Sequence, residues 1–134
     1  MKKIRILIAD DFAPVREIWK RILTSDHRIE IVGECSNGQE VLEAMERVQP
    51  DVVLLDINMS PINGFEASSR IKQKYPGVKV LGISVHSDPS YVKRLLEVGA
   101  NGFIPKTAQK EEMIQAILSV YQGMNYISDE FKNL

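Results

Sequence analysis

The sequence predicts an α/β domain in which one open, doubly wound parallel sheet is covered by helices on both sides. Short apolar runs alternate five times with segments whose apolar residues recur at helical spacing, and strands that alternate with helices form parallel sheets. The apolar runs at 4–9 and 52–55 are nearly unbroken, as in strands that are buried on both faces. The length of 134 residues suits one domain of this kind, whereas an eight-unit barrel needs about twice as many residues.

The first half of the chain contains three strand–helix pairs. Its predicted strands are 4–9, 29–35 and 52–55. Pro14 suits the first turn of the first helix, and Trp19 lies on the apolar face of that helix, which predicts a core position. Asn37 is a suitable N-cap for the second helix, and Pro50 ends it. The third helix is predicted to begin at Gly64.

The second half contains two more pairs, with predicted strands at 78–84 and 102–105. Asp88 and Pro89 are a cap and first-turn signal for the fourth helix, which is expected to end near Gly99. Thr107 is predicted to cap the last helix. The apolar side chains expected on the buried face of that helix are Met113, Ile114, Ile117, Leu118 and Tyr121.

Composition limits the class of function. Seventeen basic and eighteen acidic residues give a net charge of -1, which argues against binding nucleic acid by charge alone. No apolar run reaches the roughly 20 residues that cross a bilayer, so no membrane contact is expected. The single cysteine, Cys35, cannot form an internal disulfide, which favours a cytoplasmic location. Residues 1–123 are expected to form the domain, and the mixed, polar residues 124–134 a tail or the start of a linker.

Polar side chains follow the predicted strands at the edge where open α/β sheets bind ligands. They are Asp10 and Asp11 after the first strand, Asp56 at the end of the third, Ser84 at the end of the fourth, and Lys106 after the fifth. Three carboxylates at one edge repel one another and need a cation. An all-oxygen ligand set with room for water suits Mg²⁺, and the backbone carbonyl of Asn58 could complete it.

Asp56 is the candidate nucleophile, because carboxylates form aspartyl phosphates and phosphoryl transfer depends mainly on positioning and charge neutralisation. Lys106 and Ser84 would each contact a phosphoryl oxygen. A simple strand end is the weaker interpretation of Asp56, since an unpartnered carboxylate after four apolar residues is costly to bury.

Taken together, these motifs resemble the receiver domain of bacterial two-component response regulators. The matching strings are Asp10-Asp11, LLDINMSPINGFE around Asp56, Ser84 at a strand end, and GANGFIPKT around Lys106, over about residues 3–122. The resemblance implies a flavodoxin-like sheet with strand order 2-1-3-4-5, Mg²⁺ near Asp11, and phosphotransfer from a histidine kinase to Asp56. It also implies that Ser84 moves toward the phosphoryl group and that Phe103 changes rotamer, although a purely structural core role for Phe103 stays open.

The strings GFIPKT and GMNYIS are similar to the subfamily of transcription regulators with a C-terminal, LuxR-type helix-turn-helix. This similarity implies control of transcription through a DNA-binding domain outside the present chain, with homodimerisation as the expected response to phosphorylation. The family also suggests that Asn58 and His86 flank the water that hydrolyses the phosphoryl group, and so tune its lifetime.

Three other classes of protein share parts of this pattern. A flavin or nucleotide binder needs a glycine-rich phosphate loop after the first strand, where this chain has Asp10-Asp11-Phe12-Ala13. A Mg²⁺-dependent phosphatase with Asp56 as nucleophile usually carries a second aspartate just after it, where this chain has Ile57-Asn58. An adaptor that has lost phosphorylation is disfavoured by the intact acids. The chain is therefore expected to be a signalling domain rather than an enzyme.

Overall fold

The computed structural model describes residues 2–59, 62–85 and 89–129. Within these ranges, strands and helices alternate along the chain. The strands are β1 (Ile4–Ala9), β2 (Ile29–Cys35), β3 (Val52–Asp56), β4 (Lys79–Ser84), β5 (Gly102–Pro105) and β6 (Tyr126–Ile127). The helices are α1 (Ala13–Thr24), α2 (Gly38–Val48), α3 (Gly64–Lys74), α4 (Pro89–Glu97) and α5 (Lys110–Tyr121).

The strands of the described chain form one sheet in the order β2-β1-β3-β4-β5-β6, and every neighbouring pair is parallel. The predicted fold class and the order of the first five strands are confirmed. All five residues of β3 are buried, as expected for a central strand that is covered on both faces.

Alternating side chains of the strands enter two separate cores. Leu7 and Leu55 pack on one face of the sheet with residues of α2, α3 and α4. Ile6 and Leu54 pack on the other face with residues of α1 and α5, where Trp19 is 2% exposed. The period of two along each strand produces this division, and it confirms the predicted core position of Trp19.

Local signals set most of the helix ends. The Asn37 side chain accepts a hydrogen bond from the amide of Glu40, which confirms this predicted N-cap of α2. Gly99 has a φ of +98°, the left-handed conformation that favours glycine just after a helix. Asp88, the predicted cap of α4, lies outside the described residues.

Two predictions about α5 are wrong. The helix begins at Lys110 with Gln109 as its N-cap residue, because Thr107 lies in a turn that is closed by the Ala108 amide and the Pro105 carbonyl. Tyr121 is 40% exposed, because the neighbouring Val120 fills the inward position in the last turn of the helix.

The strand β6 was not predicted. After Gly123 the chain runs beside β5, where the amides of Tyr126 and Ser128 donate to the carbonyls of Asn101 and Phe103 at 3.0 and 3.2 Å. The hydroxyls of Tyr126 and Ser128 both donate to Glu112 Oε2 on α5, at 2.8 and 2.7 Å. A two-residue strand has no measurable periodicity, so these distant partners were not visible in the sequence.

Among the described residues, no helix combines the length and the apolar character that crossing a membrane requires.

Candidate functional site

The three predicted acids meet at the carboxyl edge of the sheet. β1 and β3 are neighbours with Ala9 opposite Leu55, so Asp10 and Asp56 follow side by side. Asp10, Asp11 and Asp56 each offer a carboxylate oxygen, and these oxygens lie within 4.8 Å of one another. Asp10 and Asp56 are buried at 0% and 1% exposure, whereas Asp11 is exposed. The cluster is therefore buried on the sheet side and open to solvent on the side of Asp11.

Lys106 partly neutralises this cluster. Its Nζ lies 2.8 Å from Asp10 Oδ2 and 3.2 Å from Asp56 Oδ2. Both contacts join the ammonium to a carboxylate oxygen of a buried residue, and the contact with Asp10 is the shorter of the two. One ammonium facing three carboxylates leaves an excess of negative charge.

Short turns fix the two buried carboxylates. Asp10 Oδ1 accepts from the Phe12 amide at 2.8 Å, and Asp56 Oδ1 accepts from the Asn58 amide at 3.0 Å. Such contacts to the backbone two residues ahead are typical of aspartate in turns. Gly64 allows α3 to begin against this loop, because a Cβ there would lie 2.4 Å from the Cα of Ile57.

The charges of the cluster shift its pKa values. Burial raises the pKa of Asp56, and the nearby Asp10 carboxylate raises it further, although the Asn58 amide and Lys106 oppose the shift. Burial lowers the pKa of Lys106, but the contacts with Asp10 and Asp56 outweigh that effect, so the pKa is raised overall. Keeping Asp56 ionised in the folded protein therefore costs free energy, and a further cation beside the carboxylates would remove that cost.

The residues present fit a hard divalent cation. They supply carboxylate oxygens only, Asp10 and Asp56 are buried, and the open side at Asp11 leaves room for water ligands. Mg²⁺ prefers this combination of a few carboxylates with several waters. Asn58 lies in the same loop as Asp56, and its backbone carbonyl stays a predicted ligand.

Ser84 lies at the end of β4, where Asp56 on β3 pairs with Ile83. Its Oγ accepts a hydrogen bond from Asn58 Nδ2 at 3.1 Å, so the Asn58 side chain links the loop after β3 to the predicted switch serine. The sequence does not predict this contact, because it joins two residues that are 26 positions apart. His86 lies outside the described residues.

Phe103 is fully buried in the middle of β5, opposite Gly82 of β4. It belongs to the core that α2, α3 and α4 cover. The burial of Phe103 is consistent with a core role. A change of its rotamer on phosphorylation stays a prediction.

Arg16 is a further residue near the site that the sequence did not predict. Its guanidinium donates to the backbone carbonyl of Asp10 at 2.6 Å and to Glu34 at 2.9 Å. An arginine one turn into the helix after two acids was the available signal, but its partners lie outside that helix, in the loop after β1 and on β2.

Comparison with known proteins identifies the family of the chain. The family model described as the response regulator receiver domain matches residues 6–118. The chain is 43% identical over 125 residues to the transcriptional regulatory protein DegU of Brevibacillus brevis, covering 93% of this chain and 53% of that protein. It is 37% identical over 127 residues to the response regulator GacA of Pseudomonas viridiflava, covering 95% and 59%. The chain thus spans little more than half the length of these curated relatives.

Solved structures give the same result. A signal receiver domain from Mycobacterium tuberculosis is 32% identical and superimposes with a TM-score of 0.88, covering 92% of this chain and 99% of that one. A two-component response regulator of the LuxR family from Aurantimonas sp. SI85-9A1 is 25% identical with a TM-score of 0.94, covering 98% and 94%.

Proposed function

The chain belongs to the response regulator receiver domain family, and on that premise we propose that Asp56 accepts a phosphoryl group from a sensor histidine kinase in a Mg²⁺-dependent reaction. The observation that carries the proposal is the convergence of Asp10, Asp11 and Asp56 on one edge of the sheet, with Lys106 against two of them. As a receiver domain, the chain is a signalling module and acts only on its own phosphorylation state.

In this proposal, Asp10, Asp11, Asp56 and the carbonyl of Asn58 hold Mg²⁺, which neutralises the carboxylates and the incoming phosphoryl group when it is bound. A carboxylate oxygen of Asp56 attacks phosphorus, the new O–P bond forms, and the bond from phosphorus to the donor breaks. The turn contact from the Asn58 amide keeps the Asp56 carboxylate oriented during this step.

Lys106 already lies against Asp56 Oδ2, so its ammonium is close enough to pair with a phosphoryl oxygen on that residue. Ser84 is the predicted donor to a second phosphoryl oxygen. Because Ser84 Oγ accepts from Asn58 Nδ2, the hydroxyl can keep that contact while it turns its own proton toward the phosphoryl oxygen. The new charge on Asp56 is therefore expected to give the Ser84 hydroxyl a new acceptor, which is a local switch.

The proposed route from the phosphorylated site to an interaction face of the domain runs along β5. Ser84 pairs with Pro105, and Phe103 lies two residues earlier on the same strand. A movement of Ser84 is thus proposed to reach Phe103 and the face that α4, β5 and α5 form, and homodimerisation is the proposed response.

Control of transcription is proposed to lie outside these residues. The relative from Brevibacillus brevis is named a transcriptional regulatory protein, and this chain covers 53% of it. We therefore propose that the receiver domain comprises residues 1–123 together with β6, which pairs with β5, and that the residues after β6 begin the connection to a DNA-binding effector domain.

The test is the intact mass of the protein after incubation with Mg²⁺ and acetyl phosphate or phosphoramidate. Wild type is expected to gain one phosphoryl group, and Asp56→Asn none. Asp51→Asn is the matched control, because Asp51 precedes β3 at the opposite edge of the sheet, where its carboxylate accepts from the Arg5 amide. No gain in wild type with Mg²⁺ binding confirmed, or an equal gain in Asp56→Asn, would reject the proposal.

The lifetime of the phosphoryl group is a separate part of the proposal. Asn58 and His86 are predicted to flank the water that hydrolyses the aspartyl phosphate. Asn58→Ala and His86→Ala are each expected to change the dephosphorylation rate, measured by the decay of the phosphorylated mass after the donor is removed. Unchanged decay in both variants would remove these residues from hydrolysis.

A further inference from the structure

We propose that Arg16 is a positioning residue that holds Asp10 in the geometry needed to bind the divalent cation. This inference rests on the proposed function, because it concerns the same acidic site. It adds a residue that contacts none of the three carboxylates and acts through the backbone of one of them.

The backbone of Asp10 lies just beyond the end of β1, where sheet pairing stops. Its amide still donates to the Cys35 carbonyl at 3.1 Å, but its carbonyl is taken by Arg16 Nη1 at 2.6 Å. The Asp10 side chain is then fixed by the Phe12 amide on Oδ1. Arg16 thus completes the restraint of a residue whose other carboxylate oxygen faces Lys106.

Arg16 is itself held by an anchor on a third element. Its Nε donates to Glu34 Oε1 at 2.9 Å near the end of β2, and Lys20 Nζ binds the other oxygen of Glu34 at 2.7 Å. These contacts with Lys20 and Arg16 lower the pKa of Glu34, so it stays ionised. The Arg16 side chain is only 15% exposed. A planar guanidinium can bond both partners at fixed angles, which a single ammonium cannot do.

The direction in which the Mg²⁺ affinity changes when Arg16 is removed distinguishes a positioning role from a purely electrostatic one. If Arg16 acted only as a nearby positive charge, removing it would strengthen Mg²⁺ binding, because the cation would meet less repulsion. If Arg16 positions Asp10, removing it weakens Mg²⁺ binding, because the ligand loses its restraint. Loss of such outer contacts in metal sites typically costs about 10- to 100-fold in affinity.

The first experiment is calorimetric titration of the full chain with Mg²⁺. Arg16→Gln is expected to raise the dissociation constant about tenfold. Arg16→Lys, which keeps the charge, is expected to raise it as well, and Glu34→Gln to raise it less. Arg28→Gln is the matched control, since it removes an arginine–carboxylate pair with Asp26 at the opposite edge of the sheet and is expected to leave the constant unchanged.

The second experiment needs no metal. Amide hydrogen exchange at Asp10 and Phe12 is expected to be faster in Arg16→Gln than in wild type in the presence of a chelator. Exchange at Leu81, in the centre of β4, is expected to stay the same, which shows that the effect is local. Trp19 fluorescence during urea titration establishes that each variant is folded. If Arg16→Gln does not fold, the exchange measurements and Mg²⁺ titrations are made on Arg16→Lys and Glu34→Gln instead.

The outcomes separate this inference from the proposed function. An unchanged or lower dissociation constant in Arg16→Gln, with wild type binding Mg²⁺ normally, would overturn the positioning role alone. Wild type that failed to bind Mg²⁺ at all would overturn the proposed function and this inference together. Uniformly faster exchange over the whole sheet would show that Arg16 stabilises the fold as a whole and does not specifically position Asp10.

Discussion

Replacing Asp56 by asparagine is expected to stabilise the protein when no divalent cation is present. Asp56 is 1% exposed, and it faces the carboxylates of Asp10 and Asp11 with Lys106 as the opposing charge. Asparagine has the same shape and can still accept the hydrogen bond from the Asn58 amide, although its Nδ2 replaces the oxygen that accepts from Lys106. The substitution therefore removes a buried charge with little change in packing.

Coulomb's law gives the size of the effect. At an effective dielectric constant of about 20, each carboxylate within 4.8 Å repels Asp56 by about 3.5 kcal/mol, and Lys106 at 3.2 Å attracts it by about 5 kcal/mol. The two repulsions exceed the attraction by about 2 kcal/mol. Screening of the exposed Asp11 reduces this excess, whereas burial of the Asp56 charge, which contributes most to its raised pKa, adds a desolvation cost. We therefore expect Asp56→Asn to raise the free energy of unfolding by about 1 to 2 kcal/mol.

The assay is urea denaturation at neutral pH in the presence of a chelator, monitored by the fluorescence of the buried Trp19. The midpoint of Asp56→Asn is expected to rise with an unchanged slope. Mg²⁺ is expected to reduce or reverse the difference, because it stabilises the form that binds it more tightly.

The pH dependence follows from the raised pKa of Asp56. A carboxyl group with a higher pKa in the folded state contributes stability that is complete below its unfolded value of about 3.9 and is lost as the pH rises through its folded pKa. The advantage of Asp56→Asn is thus largest at neutral pH and shrinks on acidification. A variant less stable than wild type in chelator, or an advantage that does not depend on pH, would refute this reasoning.

Three further predictions use other contacts of the structure. Lys106→Met is expected to lower the stability of the metal-free protein by about 3 to 5 kcal/mol, since it leaves buried carboxylates uncompensated, and to tighten Mg²⁺ binding in a calorimetric titration. Gly64→Ala is expected to destabilise by about 1 to 3 kcal/mol and to slow phosphorylation by acetyl phosphate, because its Cβ would meet the backbone of the acidic loop. Gly77→Ala, whose Cβ meets no atom within 4 Å, is the control and is expected to change neither quantity. Tyr126→Phe is expected to cost about 1 kcal/mol by removing the hydrogen bond to Glu112. Burial and Glu112 raise the pKa of Tyr126 to about 12, so wild type is expected to lose stability between pH of about 10 and 12 in urea titrations, and the variant less so.

The fold and the acidic site were predictable because their signals are local. Apolar runs mark the strands, and the residue after each run must lie at the carboxyl edge of a parallel sheet. Asp10, Asp56 and Lys106 could therefore be brought together without knowledge of a single distance. Asn37 and Gly99 were equally predictable, since a helix cap depends only on its neighbours in the chain.

The error at Thr107 is local, whereas the two missed features, β6 and Arg16, depend on contacts between residues that are distant in sequence. Thr107 has the chemistry of a cap, but the turn after β5 moves the start of α5 to Lys110. β6 is too short for a pattern, and it is fixed by Glu112 and by the edge of β5. The position of Arg16 depends on Glu34, eighteen residues away on another strand, and no local spacing encodes that pair.

The most direct test of the central claim is chemical identification of the phosphorylated residue. The protein would be phosphorylated with acetyl phosphate and Mg²⁺, reduced with borohydride, which converts an aspartyl phosphate to homoserine, and then digested and sequenced by mass spectrometry. We predict homoserine at position 56 and unmodified aspartate at positions 10, 11 and 51. Homoserine at any of those other positions, or a phosphorylated protein without homoserine, would contradict the assignment of Asp56 as the phosphoacceptor.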